Sequence, residues 1–187
     1  MERGKISDKD LWEDFKRGNP GTLSYIYEQH VQLLFQYGKK FSSDDALIKD
    51  TIQDLFFDLI RTRKNLGSTN SIKFYLLASF RRKLTVKLKK RPLNVDIDLE
   101  KIPDADMVSF SEHELVVKEE LSPKEKLVQE GLKTLTAKQL EILFYRFFCN
   151  FDYEQICEIT SLKYDSARKQ NFRALGALKK FLSTKIS

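Results

Sequence analysis

The chain has 187 residues with a formal net charge of +6, 41% hydrophobic and 32% charged. Fourteen Phe and seven Tyr supply apolar bulk for cores, while seven Gly and four Pro are too few for an all-β or disordered chain. No apolar run is long enough to cross a bilayer, and the start MERGKISDKD has no signal-peptide core. Cys149 and Cys157 stand apart from any His, which is neither a metal spacing nor a disulfide framework. Both read as buried apolar residues of a protein in a reducing cytoplasm.

Charge is segregated along the chain. Residues 1–91 carry 19 Lys/Arg against 11 Asp/Glu, residues 92–125 carry 3 against 10, and residues 126–187 carry 11 against 6. Two basic blocks flank an acidic one; net charge alone suits a solvated basic surface, and this segregation adds weight to a polyanionic partner.

From Asp10 to Arg91 the pattern is helical, with breaks at Gly18-Asn19-Pro20-Gly21, Ser42-Ser43-Asp44-Asp45 and Gly67-Ser68-Thr69-Asn70. The clearest helix is expected over Asp45–Arg63, with Ile48, Ile52, Leu55, Phe56 and Leu59 as its apolar stripe. Asp50, Gln53, Asp54, Phe57 and Arg61 then lie on the opposite face. An outward Phe beside two carboxylates and an amide suits the anchor of a partner-binding surface.

The next helix is expected over Ser71–Lys90, with the stripe Leu77, Phe80, Leu84 and Leu88. Arg81, Arg82, Lys83, Lys87, Lys89, Lys90 and Arg91 crowd its C-terminal half, and Phe74 and Tyr75 lie two turns earlier. Cations for phosphates and flat rings for unstacked bases are what single-stranded nucleic acid requires. A basic helix end favoured by the helix dipole is the plainer account.

Periodicity fades over residues 92–125, an acidic segment containing Pro92, Pro103 and Pro123. It reads as a linker with a short helix near Ser111–Glu120. Helical patterns resume with Leu140, Leu143 and Phe147, and then with Tyr153, Ile156, Cys157 and Thr160. A break at Ser161-Leu162-Lys163-Tyr164 precedes a final helix with Ala167, Ala174, Leu178, Phe181 and Leu182 on one face. Short helix, tight turn, longer helix is the helix-turn-helix pattern. Lys169, Phe172, Arg173 and Lys180 face outward on the last helix, with Arg168 and Gln170 at the edges; Arg and Lys suit guanine or phosphate, Gln suits adenine.

Taken in order, DTIQDLFFDLIRTRKNL, SIKFYLLASFRRKLTVKLKKR and LTAKQLEILFYRFFCNFDYEQICEITSLKYDSARKQNFRALGALKKFL resemble the extracytoplasmic-function (ECF) sigma factors of bacterial RNA polymerase. The first is similar to the family's polymerase-binding helix, typically D-x-V-Q-[DE]-V-F. The second is similar to its promoter-melting and −10-reading helix, the third to its −35-reading domain. The turn from Tyr164 to Arg168 is similar to that of members from the Bacteroidota. The resemblance implies an all-α fold with a region 2-like domain at 1–91, an acidic linker at 92–125 and a region 4-like helix-turn-helix domain at 126–187.

It further implies that Asp50, Gln53, Asp54 and Phe57 contact the coiled-coil clamp of core RNA polymerase. A loop from Asn65 to Asn70 would capture a flipped −10 base, and Lys73, Tyr75, Arg81, Arg82 and Lys83 would hold the melted strand. Ser166, Arg168, Lys169, Gln170 and Arg173 would meet the −35 major groove. The linker would thread the polymerase near its RNA exit path; self-repulsion or counter-charge for the basic domains accounts for its acidity equally well. Partners implied are core polymerase, promoter DNA and an anti-sigma factor, commonly membrane-anchored in this family, in the bacterial cytoplasm. Neither a cofactor, a metal nor a small-molecule substrate is expected. Arg82 stands where the family usually has Asn, Val86 where it has Asp, and Ile60 where Trp is frequent.

Three other functions compete with this one. A stand-alone helix-turn-helix repressor leaves the N-terminal domain without a task. An enzyme on nucleic acid lacks a phosphate loop and a plausible catalytic base, since His30 lies in a helical segment and His113 in the linker. A non-specific architectural protein predicts equal affinity for all duplexes.

Overall fold

The computed structural model describes residues 6–90 and 122–186, and among these it contains eight α-helices and no strand. The expected all-α class is the observed one. The chain divides into two compact units, one built on residues 1–39 and 44–93, the other on 40–43 and 94–187. Most of the acidic segment, with the helix expected near Ser111–Glu120 and with His113, lies outside the described residues.

The first unit packs α1 (Asp8–Arg17), α2 (Pro20–Lys39), α3 (Asp45–Thr62) and α4 (Ile72–Lys89), with a 3-10 turn at Arg63–Asn65 after α3. Local chemistry sets the ends. Ser7 accepts the Asp10 N–H to cap α1, Asp44 accepts that of Leu47 at α3, and Ser71 accepts that of Phe74 at α4. Gly18 ends α1 with φ at 96°, a left-handed conformation that a side chain would strain. The expected stripes are buried: Ile48, Ile52, Leu55, Phe56 and Leu59 on α3, and Leu77, Phe80, Leu84 and Leu88 on α4. Trp12, Phe15, Ile26, Leu34 and Tyr37 complete the core from α1 and α2. Where α2 crosses α3, a methyl group on Gly38 would stand 2.7 Å from Ile48 Cγ2, so the glycine permits that close approach.

The second unit packs α5 (Pro123–Leu132), α6 (Ala137–Leu143) and α7 (Tyr153–Thr160) against the long α8 (Tyr164–Ile186). Its core includes Leu135, Leu140, Ile142, Leu143, Tyr145, Ile156, Ile159, Ala167 and Ala174.

Several expectations are corrected here. Pro123 does not belong to an irregular linker running to Glu125: it occupies the first turn of α5, behind a capping box in which Ser122 and Glu125 exchange hydrogen bonds. Proline's fixed φ suits that first turn, where its missing N–H would have no helical partner. Phe147 is not a core residue but 61% exposed, and Phe148 is exposed beside it. A π-turn over Phe144–Phe148, with the Cys149 N–H bonded to the Phe144 carbonyl, inserts a residue into the helical repeat and rotates the following side chains out of the stripe. Cys149 is buried as expected, but Cys157 is half-buried, and Ile159 takes the core position instead.

Candidate nucleic-acid and partner interface

The outer face of α3 is where the helical repeat places it. Phe57 is 66% exposed, and Asp50, Gln53 and Arg61 are exposed around it, with Asp54 half-buried. The carboxylates nevertheless have partners. Asp50, Asp54 and Asp58 recur every fourth residue and so form one ridge along α3. Lys83 and Lys87 form a matching ridge on α4. Lys87 Nζ lies 2.6 Å from Asp54 and also contacts Asp50, while Lys83 binds Asp58, which Arg61 reaches as well at 2.9 Å. Lys87 was not among the expected site residues. The i, i+4 spacing of the charges was visible, but the facing of the two ridges was not.

These pairs shape the local electrostatics. The Lys83 ammonium holds the Asp58 carboxyl below its ordinary range. Partial burial would lower the Lys87 ammonium, but hydrogen bonds to Asp50 and Asp54 outweigh it and raise its pKa.

Along α4, the residues expected at the melted strand divide in two. Lys83 faces α3 and is engaged, whereas Arg82 is exposed, with a hydrogen bond to Ser79 at 3.3 Å, and Lys89 and Lys90 are exposed beyond it. Arg81 and Lys73 are half-buried. Tyr75 is half-buried too, its ring 4.9 Å from that of Trp12. Before α4, the loop of residues 66–71 leaves Ser68 and Asn70 exposed, as is Asn65 at the end of the 3-10 turn.

In the second unit, α7, three linking residues and α8 form a helix-turn-helix, with Ser161 left-handed at the end of α7 (φ 58°). The turn is braced by Tyr153. Its ring packs on Tyr164 at 5.6 Å and carries the Arg146 guanidinium at 5.3 Å, and its hydroxyl accepts a hydrogen bond from Asn171 at 2.9 Å. Asn171 is buried beside Ala167 and Ala174, so the polar contact fixes α8 on α7 from within the core. The sequence marks Tyr153 only as a member of an apolar stripe and Asn171 not at all, because an Asn on an apolar face gives no local sign of its partner. Ser166, Arg168, Lys169 and Arg173 are exposed on the opposite side of α8, as expected, and Gln170 is half-buried. Phe172 stands among them at 79% exposure. An open cleft of about 450 Å³ runs between Tyr153 and the Arg168–Arg173 stretch. A separate apolar groove of about 340 Å³ lies between α6, the π-turn and α8, bordered by Phe147, Phe148 and Leu175.

Among the described residues there is no cluster of His, Cys, Asp and Glu able to hold a metal ion, and no helix long and apolar enough to cross a membrane. His30 is partly buried in α2, and burial lowers its pKa, with Lys73 adding to that and Asp8 opposing it.

No family model matches the chain, and no curated protein matches it. Its fold is similar to that of CnrH, solved in complex with the cytosolic domain of CnrY: TM-score 0.61, 13% identity, covering 96% of this chain and 99% of that one. It is also similar to that of the sigma factor RpoE from Bartonella quintana, solved with the anti-sigma factor NepR: TM-score 0.55, 19% identity, covering 91% and 98%. At these identities the likeness is one of fold.

Proposed function

We propose that this protein is a sigma factor of the extracytoplasmic-function type, a regulator without catalysis of its own that brings core RNA polymerase to promoters. The observation that carries this reading is the coincidence of two independent likenesses. A chain solved as a sigma factor shares the fold over 91% of this chain and 98% of its own. The motifs resembling the polymerase-binding, −10 and −35 segments fall, in the same order, on α3, α4 and the α7–α8 pair.

In this reading Phe57 and Gln53 meet the polymerase clamp, together with Asp50 and Asp54, which exchange Lys87 for cations of the partner. Arg82, Lys73, Tyr75, Arg81 and Lys83 line the melted strand, with Asn65 and Asn70 at the base-capturing loop. The exposed cations of α8 enter the −35 major groove with Ser166 and Gln170, cations supplying affinity through phosphates and base edges supplying specificity. An anti-sigma factor binds this protein and holds it inactive; the sigma factor RpoE was solved in complex with an anti-sigma factor, NepR. The apolar groove edged by Phe147 and Phe148 offers such a partner a surface on the second unit. The protein works in the bacterial cytoplasm, and an anti-sigma factor with a membrane anchor would hold it at the inner membrane.

The test is co-elution of the purified chain with core RNA polymerase, followed by run-off transcription from a promoter library. Sequence-selective transcripts that require both components are expected. Duplex binding without polymerase association would instead make the protein a stand-alone DNA-binding protein.

A further inference from the structure

The loop of residues 66–71 is held from behind by α1. The Trp12 indole N–H donates to the Gly67 carbonyl at 2.8 Å, and the Asp8 carboxylate accepts the Ile72 N–H at 2.9 Å, so the loop is tied at both ends across 55 and 64 residues of sequence. Trp12 is fully buried, its ring against Phe15 at 5.4 Å and Tyr75 at 4.9 Å. Phenylalanine would fill much of that volume, so the indole N–H adds something packing does not require: a directed bond to one loop carbonyl. Inside the loop, Thr69 and Ser71 bond one another at 3.1 and 3.2 Å, and Ser71 caps α4.

The outer edge is left open. Asn65, Ser68 and Asn70 are exposed, and none of the bonds just described uses their side chains. A methyl group on Gly67 would meet nothing within 4 Å. A short polar loop has little packing of its own to select one conformation, and here the selection comes from α1. Rigid support behind open donors and acceptors is what a site reading a single base requires.

We infer that Trp12 and Asp8 are positioning residues that preset the Asn65–Asn70 loop for reading one unstacked base of the melted strand. This rests on the sigma-factor reading. A loop freed from its tie would still allow transcription but would discriminate poorly at that one base.

The experiment uses the full chain with core RNA polymerase on templates randomised across the promoter, and productive transcripts are sequenced. Trp12→Phe and Asp8→Ala, which removes the acceptor for the Ile72 N–H, are compared with wild type and with Ile26→Val, a mild core change on α2, which makes neither tie. Both tie variants should flatten the preference at one melted position by roughly fivefold or more, leaving the −35 preference intact. Ile26→Val should lower output evenly, if at all. The inference is overturned if the tie variants lower output evenly at every position, or if all preferences survive them. Should Trp12→Phe fail to fold, Asp8→Ala carries the test, since Asp8 is exposed. A wild-type chain giving no polymerase-dependent transcripts would sink the sigma-factor reading itself, a result distinct from a wild type that selects promoters while its variants do too.

Discussion

The ammonium of Lys87 on α4 sits between the carboxylates of Asp50 and Asp54 on α3, 2.6 Å from Asp54. Two carboxylates on the outer face of α3 are therefore already engaged, and the neighbouring Lys83 is engaged with Asp58. The positive field of α4 is partly neutralised on the side facing α3, and Arg82, Lys89 and Lys90 remain outward. Any cationic partner that takes Asp50 and Asp54 must compete with Lys87.

Replacing that lysine tests the competition. Lys87→Gln should lower stability by no more than about 1 kcal/mol, because Asp50 is exposed, Asp54 is about half open to solvent, and ion pairs this accessible contribute little. Affinity for core polymerase should stay the same or rise. Equilibrium denaturation and a polymerase-binding titration are the measurements, and a marked fall in affinity would mean that Lys87 itself touches the polymerase.

Phe57 gives a cleaner probe of the same face, having no core role. Phe57→Ala should change stability within about ±0.5 kcal/mol, as surface substitutions do. Polymerase binding should fall about tenfold or more, the expected loss for a central aromatic anchor. Adding Asp54→Ala leaves Lys87 its contact with Asp50, so the double variant should remain folded. Normal binding by both variants would show that the polymerase docks elsewhere.

On α8, reading and positioning should separate. Arg173 is exposed on the side away from Ala167 and Ala174, and a guanidinium can grip a base edge with two hydrogen bonds. Arg173→Ala should cost roughly 1–3 kcal/mol at the −35 element and relax one base preference. Lys180 lies two turns further along, where a groove-bound helix faces phosphate. Lys180→Ala should weaken all sequences alike and flatten the salt dependence by about one charge. Holoenzyme run-off transcription on a −35 library distinguishes the two patterns, and uniform loss with Arg173→Ala would reassign it as a phosphate contact.

Stability should fall toward both extremes of pH. Hydrogen bonds from Lys83 to Asp58 and from Thr22 to Asp14 depress those carboxyls below 3.8, so they stabilise the fold above that pH, a contribution lost as pH falls through their lower folded values. His30 is depressed below 6.5, chiefly by burial, so the unfolded chain takes up its proton first and stability declines from about that pH downward. Lys87 is raised above 10.5 despite its partial burial, by Asp50 and Asp54, so its contribution persists below that pH and disappears as pH rises through its folded value. Denaturation midpoints from pH 7.5 to 5 should slope downward, and His30→Gln should flatten that slope. An unchanged slope would place the titration elsewhere.

The sequence by itself determined which residues form helices and which face of each is apolar. A stripe such as Ile48–Ile52–Leu55–Phe56–Leu59 repeats at the helical period whatever packs on it, and Ser7, Asp44 and Ser71 cap their helices through bonds three residues long. The capping boxes at Ser122–Glu125, Thr136–Gln139 and Asp152–Gln155 follow the same local code, so Ser122 and Glu125 mark the start of α5 within the segment expected as linker through Glu125. Only the tertiary structure decided which groups meet across helices. Lys87 finds Asp50 and Asp54, Trp12 finds Gly67, and Asn171 finds Tyr153, because each bond depends on how two helices are rotated against one another. The π-turn that exposes Phe147 belongs with these: its neighbours Phe144 and Tyr145 are buried and Phe147 and Phe148 are not, a division set by how the segment packs rather than by its spacing.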